Sequence, residues 1–118
     1  MTVEFKKLTQ DIAANLGELG KSIPQVIKGF NELNKAGSAA GVLDAKTKEL
    51  IALAIGVAVR CDGCIGFHSK ALVKLGATEA EVHEALGVAV YMGGGPSVMY
   101  AANAVAAYKE FSDTEPAA

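Results

Sequence analysis

Apolar side chains recur every three or four positions through most of this chain, which is the period of an amphipathic helix. The first such segment predicts a helix over about residues 1–20, ended by Gly20. Ser22 and Gln25 then resemble a capping box, and Pro24 is favourable in a first turn, so a second helix begins here. The apolar faces of these two helices are Phe5, Leu8, Ile12, Leu16 and Leu19, followed by Ile23, Val26, Ile27, Phe30 and Leu33.

Three further helices follow in the middle of the chain. Asp44 is a candidate N-cap for the third helix, whose residues 50–59 are apolar all round, which predicts burial in the middle of the protein. A fourth helix runs from Cys64 to a stop at Gly76, with Leu72 and Leu75 on its buried side. A capping box of Thr78 and Glu81 begins the fifth helix, which the run Gly93-Gly94-Gly95-Pro96 ends.

The last helix is predicted from Ser97 to about Phe111, and it is dominated by alanine. Small side chains let another backbone approach closely, so we expect this helix to contribute to an interface between subunits. Residues 112–118 are predicted to be a disordered tail. Since no segment shows strand alternation, the fold class is all-α, a bundle of about six helices in a single domain that spans residues 1–118. The alanines of the last helix are Ala101, Ala102, Ala104, Ala106 and Ala107.

Composition narrows the function classes. The 118 residues are 51% hydrophobic but only 6% aromatic, so the core consists of Ala, Val, Leu and Ile. The net charge is −2 without a basic stripe, which argues against nucleic acid as a partner. The N-terminal residues contain no export signal, and the longest apolar run, residues 50–59, is too short to span a bilayer. These features predict a cytoplasmic protein that is not inserted in a membrane.

The candidate chemistry lies in residues 49–68, ELIALAIGVAVRCDGCIGFH, which contain both cysteines and one of the 2 histidines. In the cytoplasm, two cysteines this close together are more often catalytic or metal-binding than a structural disulfide. Cys61 and Cys64 stand at the start of a helix, where the macrodipole and free N–H groups favour thiolate. His68 follows Cys64 by one helical turn, on the same face. We therefore expect Cys64 to be the activated sulfur.

Other interpretations of these residues stay open on spacing alone. The cysteines could be small buried hydrophobes, although the turn signal between them argues against a core position. They could also bind zinc together with His68 and His83, but no second Cys-x-x-Cys is present. Glu49 by itself is typical of an exposed charge. In a hairpin of the two helices, Glu49 and His68 would be offset by about 9 Å along the axis.

The combined spacing of these residues resembles a known signature. Glu49 stands twelve positions before Cys61, a Cys-x-x-Cys follows, and His68 stands four positions after Cys64. This pattern is similar to that of the AhpD-like alkylhydroperoxidases within the carboxymuconolactone decarboxylase family. The resemblance extends from about Phe30 to Tyr108 and includes the triple-glycine break and the alanine-rich last helix.

The resemblance implies an all-helical, single-module fold with the Cys-x-x-Cys at a helix N-terminus, and a peroxidase-type thiol site. Carried over by position, Cys64 resembles the peroxidatic cysteine and Cys61 its resolving partner. His68 and Glu49 resemble a proton relay. No metal, haem or other cofactor is implied. Members with two helical modules carry a histidine immediately before the second cysteine, where this chain has Gly63.

The function that the resemblance implies is a thiol-dependent peroxidase in antioxidant defence. It would reduce hydrogen peroxide or organic hydroperoxides and be reduced in turn by a dithiol donor, with lipoyl-type donors used by similar proteins. The resemblance, together with the aliphatic composition, also implies a homo-oligomer, with a hexamer built as a trimer of dimers expected. The alternatives are a general thiol–disulfide oxidoreductase and a non-enzymatic redox-sensing oligomer. The decarboxylases of the family generally lack the Cys-x-x-Cys, which argues against decarboxylation.

Overall fold

Six helices account for most of residues 2–113, the part of the chain that the computed structural model describes. Within this range there is no strand, which confirms the predicted all-α class and the number of helices. The helices are α1 (Phe5–Ser22), α2 (Pro24–Ser38), α3 (Ala45–Ala58), α4 (Asp62–Lys74), α5 (Glu79–Gly93) and α6 (Gly95–Ser112). The predicted tail lies outside the described residues from position 114 onward, whereas Ser112 still belongs to α6.

The core lies between α3, α4, α5 and α6, and the first turn of α1 closes one side of it. Burying one aliphatic or aromatic side chain of this kind contributes roughly 1.5–3 kcal/mol, so packing of these few helices stabilises the fold. The completely buried hydrophobic side chains are Phe5, Leu53, Val57, Ile65, Leu72, Val82, Ala104 and Ala107.

Helix α1 packs on α4 through a glycine contact. A Cβ atom on Gly66 would lie 2.7 Å from Cγ2 of Thr9, so only glycine lets the two helices approach this closely. The first N–H groups of α1, those of Phe5 and Lys6, donate to the carboxylate of Glu110 at 3.0 and 2.9 Å. A side chain of α6 thus caps α1, because Glu4 provides no side-chain cap.

Two of the three predicted N-cap sites are confirmed. The Asp44 carboxylate accepts from the Thr47 N–H at 2.7 Å, and hydrogen bonds from Thr47 lower the pKa of Asp44. Thr78 and Glu81 form a complete capping box at the start of α5. The predicted capping box at Ser22 is wrong, because α1 continues through Ser22 and Ile23 takes the N-cap position of α2 without a side-chain hydrogen bond.

Helices α3 and α4 end in the same hydrogen-bonded motif, with a left-handed residue after the C-cap. In α4 this residue is Gly76, with φ of 77°; the N–H groups of Gly76 and Ala77 donate to carbonyls of the last turn at 3.1 and 3.0 Å. In α3 it is Arg60, with φ of 60°; here the N–H groups of Arg60 and Cys61 make the equivalent bonds at 3.1 and 3.0 Å. A non-glycine residue in this conformation costs about 1 kcal/mol.

Helix α2 and one side of α3 are more exposed to solvent than their sequences predict. No residue of α2 is buried, and the side chains of its apolar face, Val26, Phe30 and Leu33, are 63%, 59% and 68% exposed. Helix α3 buries Leu53, Gly56 and Val57 but leaves its opposite side, with Ile55, in contact with solvent. The prediction that α3 is surrounded on all sides is therefore wrong for the isolated chain. Leu75, predicted to be buried, is 43% exposed.

The alanine-rich face of α6 is used inside the chain. Ala101, Ala104 and Ala107 are buried in the core formed with α3, α4 and α5. For these three alanines, the close backbone approach that small side chains permit is thus intramolecular. The contribution of the helix from Ser97 to Phe111 to a subunit interface stays a prediction, which its exposed residues such as Met99 would have to provide. In residues 2–113, no helix is long and apolar enough to cross a membrane.

Candidate active site

The α3–α4 hairpin brings the two cysteines to the start of α4. Cys61 is the N-cap residue, Cys64 stands in the first turn, and the two form a disulfide with their Cα atoms 5.2 Å apart. The Sγ atom of Cys61 accepts a hydrogen bond from the Cys64 N–H at 3.1 Å. Of the two sulfur atoms, the one that accepts this hydrogen bond at the helix start is therefore that of Cys61.

Glu49 and His68 meet across the same hairpin. Oε2 of Glu49 lies 2.6 Å from Nδ1 of His68, and both side chains are largely buried, with 13% and 28% exposure. The offset expected from spacing is closed by the register of the hairpin. A Cβ on Gly56 would lie 3.1 Å from Cβ of Cys64, so these two residues face each other. His68, one turn after Cys64, then faces position 52. Glu49 lies three residues before position 52, about 4.5 Å along the axis of α3, and the Glu49 side chain is long enough to reach His68.

The bond to Glu49 determines which histidine nitrogen can act as a base. An ionised carboxylate only accepts hydrogen bonds, so the proton between the two groups is on Nδ1 of His68. In the neutral ring, Nε2 then carries the free lone pair. Because Cys64 precedes His68 by one helical turn, both side chains project from one face of α4. The Glu49–His68 pair and Cys64 therefore lie along the same side of the α3–α4 hairpin.

A cavity of about 300 Å³ opens beside this pair. Glu49 and His68 contribute polar groups to its lining, and Ala52, one turn before Gly56 on α3, lies beside them. The opposite wall comes from α2, which no sequence motif connects with the site. The lining residues are Phe30, Leu33, Asn34, Gly37, Ser38, Lys48, Glu49, Ala52 and His68.

The residues next to Cys61 along the chain have different surroundings. The carboxylate of Asp62 lies 3.5 Å from the amide nitrogen of Asn103 on α6, a contact that sequence spacing did not reveal. Arg60 is exposed. The side chain of Ile12 on α1 covers Gly63, since a Cβ there would lie 2.9 Å from its Cδ1. Ile12 therefore takes part of the space into which a side chain at position 63 would project.

The four residues considered as zinc ligands do not lie together. Cys61 and Cys64 are joined to each other, whereas His83 is an exposed residue of α5 whose Nε2 lies 3.7 Å from the Glu79 carboxylate. Throughout residues 2–113, no group of three or more His, Cys, Asp or Glu side chains is arranged to hold a metal ion.

Comparison with known proteins places this fold and site in a family. The sequence profile of the carboxymuconolactone decarboxylase family matches residues 24–107. The chain belongs to the carboxymuconolactone decarboxylase family. The matched range includes both cysteines, Glu49 and His68, and it begins at the first residue of α2, so that α1 lies outside it.

Solved structures of carboxymuconolactone decarboxylase family proteins share the fold along nearly the whole chain. A family protein from Legionella pneumophila in its apo form is 56% identical, with a TM-score of 0.90 over 92% of this chain and 96% of that one. A second, from Thermotoga maritima, is 32% identical, with a TM-score of 0.81 over 89% and 90% of the two chains. An involvement in the antioxidative response has been suggested for the Thermotoga protein.

Relatives of similar length extend the comparison beyond solved structures. An uncharacterized protein of Cupriavidus necator is 38% identical over 106 residues, covering 90% of this chain and 94% of that protein. An uncharacterized protein encoded in the cox locus of Paracoccus denitrificans is 36% identical over 98 residues, covering 83% and 88%. Both relatives are thus matched along most of their own length.

Proposed function

We propose that this protein is a thiol-dependent peroxidase that reduces hydrogen peroxide or organic hydroperoxides through a cycle of the Cys61–Cys64 disulfide. The observation that carries the proposal is the 2.6 Å bond between Glu49 and His68, on the helix face of Cys64. A structural disulfide has no need of an oriented base beside it. A base that is held in one tautomer beside a thiol is the usual means of activating a nucleophile.

In the oxidative half-reaction, Cys64 is the peroxidatic residue. Nε2 of His68 takes the proton of the Cys64 thiol while Glu49 stabilises the resulting imidazolium. The thiolate attacks one peroxide oxygen, the O–O bond breaks, and the leaving alkoxide or hydroxide receives the proton from His68. The products are an alcohol or water and a sulfenic acid on Cys64.

Cys61 then acts as the resolving residue. Its thiol attacks the sulfenic sulfur of Cys64, which releases water and forms the disulfide. A dithiol donor reduces this disulfide through a mixed disulfide, so two electrons and two protons pass from the donor to the protein. In the disulfide form the two Cα atoms are 5.2 Å apart, within the ordinary range for this bond.

A general thiol–disulfide oxidoreductase is the second candidate. The Cys-x-x-Cys at a helix N-terminus and the hydrogen bond to Cys61 favour it, because both features serve disulfide exchange without a base. The largely buried Glu49–His68 pair and the cavity beside it favour the peroxidase, because disulfide exchange requires neither. A non-enzymatic redox sensor requires a change of assembly with oxidation state, which light scattering on the two forms tests.

The proposal is tested by steady-state turnover of hydrogen peroxide and cumene hydroperoxide, with dihydrolipoamide, thioredoxin and glutathione compared as donors. His68→Asn is expected to lower the peroxide-dependent rate by about 100-fold, the usual contribution of a general base. The rate of disulfide exchange with the same donors is the matched readout, and it is expected to fall much less. Equal losses in both rates would favour the general oxidoreductase.

The cellular setting is part of the proposal. A cycle that ends in a reduced dithiol requires a compartment with thiol donors, which agrees with the predicted cytoplasmic location. The proposed partners are a hydroperoxide substrate, a dithiol reductant of the lipoyl type and further copies of this chain.

A further inference from the structure

Arg60 occupies a backbone conformation that favours glycine. The end of α4 has the same hydrogen-bonded motif, and there the left-handed position is Gly76. The end of α3 has Arg60 at the equivalent position, immediately before Cys61. Since glycine fits this conformation without steric cost, the arginine side chain needs another reason to be there.

The guanidinium of Arg60 has no partner among residues 2–113. It is exposed, and it makes no hydrogen bond or ion pair with any of these residues. The nearest carboxylate along the chain, that of Asp62, is directed to Asn103. Among the 11 Lys and Arg residues of the sequence, Arg60 is the single arginine. A planar guanidinium without a partner is well suited to bind a carboxylate with two hydrogen bonds.

The chemistry of the cycle indicates which reactant this cation serves. Hydroperoxides are neutral at physiological pH, so a cation beside Cys61 gives them little attraction. Thiol donors attack as thiolates, and many of them carry carboxylates as well. Arg60 also stands next to Cys61, whereas the base His68 and its cavity lie beyond Cys64. The cation is therefore at the Cys61 end of the disulfide, away from the base and its cavity.

We propose that Arg60 is an anion contact for the reductant, and that it selects thiol donors that carry a carboxylate. The proposal rests on the redox cycle of the proposed function. In the step concerned, a donor thiolate attacks one sulfur of the Cys61–Cys64 disulfide and the other sulfur leaves as thiolate. The second donor thiol then displaces the protein sulfur, so the donor becomes a cyclic disulfide and the protein gains two electrons and two protons.

The test compares dihydrolipoate with dihydrolipoamide, two dithiols that differ in one negative charge. The oxidised protein is mixed with each donor in the absence of peroxide, and new thiols are alkylated and counted by mass spectrometry over time. Arg60→Asn removes the charge but keeps a residue that tolerates the left-handed conformation. Arg60→Lys keeps the charge, and Lys70→Asn removes an equivalent charge from the exposed side of α4 as the matched control.

The wild type is expected to react faster with dihydrolipoate, and high ionic strength is expected to reduce this preference. In Arg60→Asn, the ratio of the two rate constants is expected to fall about threefold, a size typical of an exposed ion pair. Arg60→Lys is expected to keep part of the preference, and Lys70→Asn all of it. An unchanged ratio in Arg60→Asn, an equal loss with both donors, or a wild type that neither donor reduces would overturn the proposal.

Failure of the proposed peroxidase function can be distinguished from failure of the Arg60 proposal. In that case the reduced protein does not react with hydroperoxides in a separate assay, whereas the ratio between the two donors still reports on Arg60.

Discussion

The hydrogen bond between Glu49 and His68 is the contact on which the proposed chemistry depends most. At 2.6 Å and largely buried, it holds the imidazole in one orientation and keeps the proton on Nδ1. Without the carboxylate, the ring could turn, and the imidazolium that forms during catalysis would lose its counter-charge.

Glu49→Gln is therefore expected to lower kcat/KM for hydroperoxides by about tenfold, since part of the general-base contribution remains. The amide keeps the size of the side chain and can still accept a hydrogen bond. Stopped-flow oxidation of the reduced protein measures the effect. Glu84→Gln, on an exposed position of α5, is the matched control. A variant with the wild-type rate and a lower melting temperature would show Glu49 to be structural.

Gly66 is expected to be essential for packing α1 on α4. In Gly66→Ala the new methyl group would lie 2.7 Å from Cγ2 of Thr9, a buried side chain held by a hydrogen bond to the Lys6 carbonyl. We expect a loss of about 1–2 kcal/mol in the free energy of unfolding. Urea unfolding measures it.

Gly17→Ala is the control for this change. Nothing lies within 4 Å of the added atom, and the site is exposed within α1, so the substitution is expected to stabilise the protein by about 0.5–1 kcal/mol. Equal effects of the two substitutions would contradict the packing argument.

Residues related by local spacing could be predicted from the sequence. Each of these features joins residues that are at most four positions apart. They are the N-cap Asp44, the capping box of Thr78 and Glu81, and the helical turn between Cys64 and His68. The partner of Glu49 could not be predicted by spacing, because it depends on the register of two helices. The cap that Glu110 provides for α1 is equally long-range, since Glu110 and Phe5 are 105 positions apart in the sequence.

At the scale of elements, α2 is the helix whose position gives the site its shape. It buries none of its residues, yet Phe30 and Leu33 form the apolar wall of the cavity that ends at Glu49 and His68. A cavity with one polar, reactive end and an apolar wall suits a hydroperoxide with a hydrocarbon body.

Phe30→Ala is accordingly expected to lower kcat/KM for cumene hydroperoxide by about tenfold and to change that for hydrogen peroxide little. Val26→Ala is the matched control, because Val26 lies one turn earlier on α2, is 63% exposed and is not part of the cavity lining. The ratio of the two substrates in steady-state assays is the readout. A ratio unaffected by Phe30→Ala would exclude α2 from substrate selection.

The existence and order of the helices could be predicted, and so could buried positions such as Leu72 on α4, whereas the sides that α2, α3 and α6 bury could not. An all-apolar segment such as residues 50–59 predicts burial, but it does not say whether the covering element belongs to the same chain. Small side chains in α6 have the same ambiguity. There the structure shows an intramolecular contact, with Ala104 completely buried.

For the whole molecule, the exposed apolar side chains agree with the proposed homo-oligomer. A groove of about 330 Å³ between α3 and α5 is lined almost entirely by apolar residues, among them Ile51, Ile55, Val88 and Met92. These four side chains are 45%, 57%, 55% and 71% exposed. Apolar surface of this extent is typical of a protein–protein contact.

Light scattering on the reduced protein is therefore expected to report several protomers, with a hexamer as the expected assembly. Ile55→Glu is expected to lower that number without unfolding, because Ile55 points away from the core. Gln10→Glu adds the same charge at an exposed position of α1 as the control. A monodisperse wild-type species of 12.1 kDa would exclude the oligomer.

The central claim is that Cys64, activated by His68, attacks the hydroperoxide. The most direct measurement is mass spectrometry of the reduced single-cysteine variants after treatment with a stoichiometric amount of cumene hydroperoxide and a sulfenic-acid trap. The account predicts rapid addition of one oxygen atom, captured by the trap on Cys64, in Cys61→Ser, and a much slower reaction in Cys64→Ser. Rapid trapping on Cys61 in Cys64→Ser, with an inert Cys61→Ser, would reverse the two roles, and two equally slow variants would contradict the peroxidase itself.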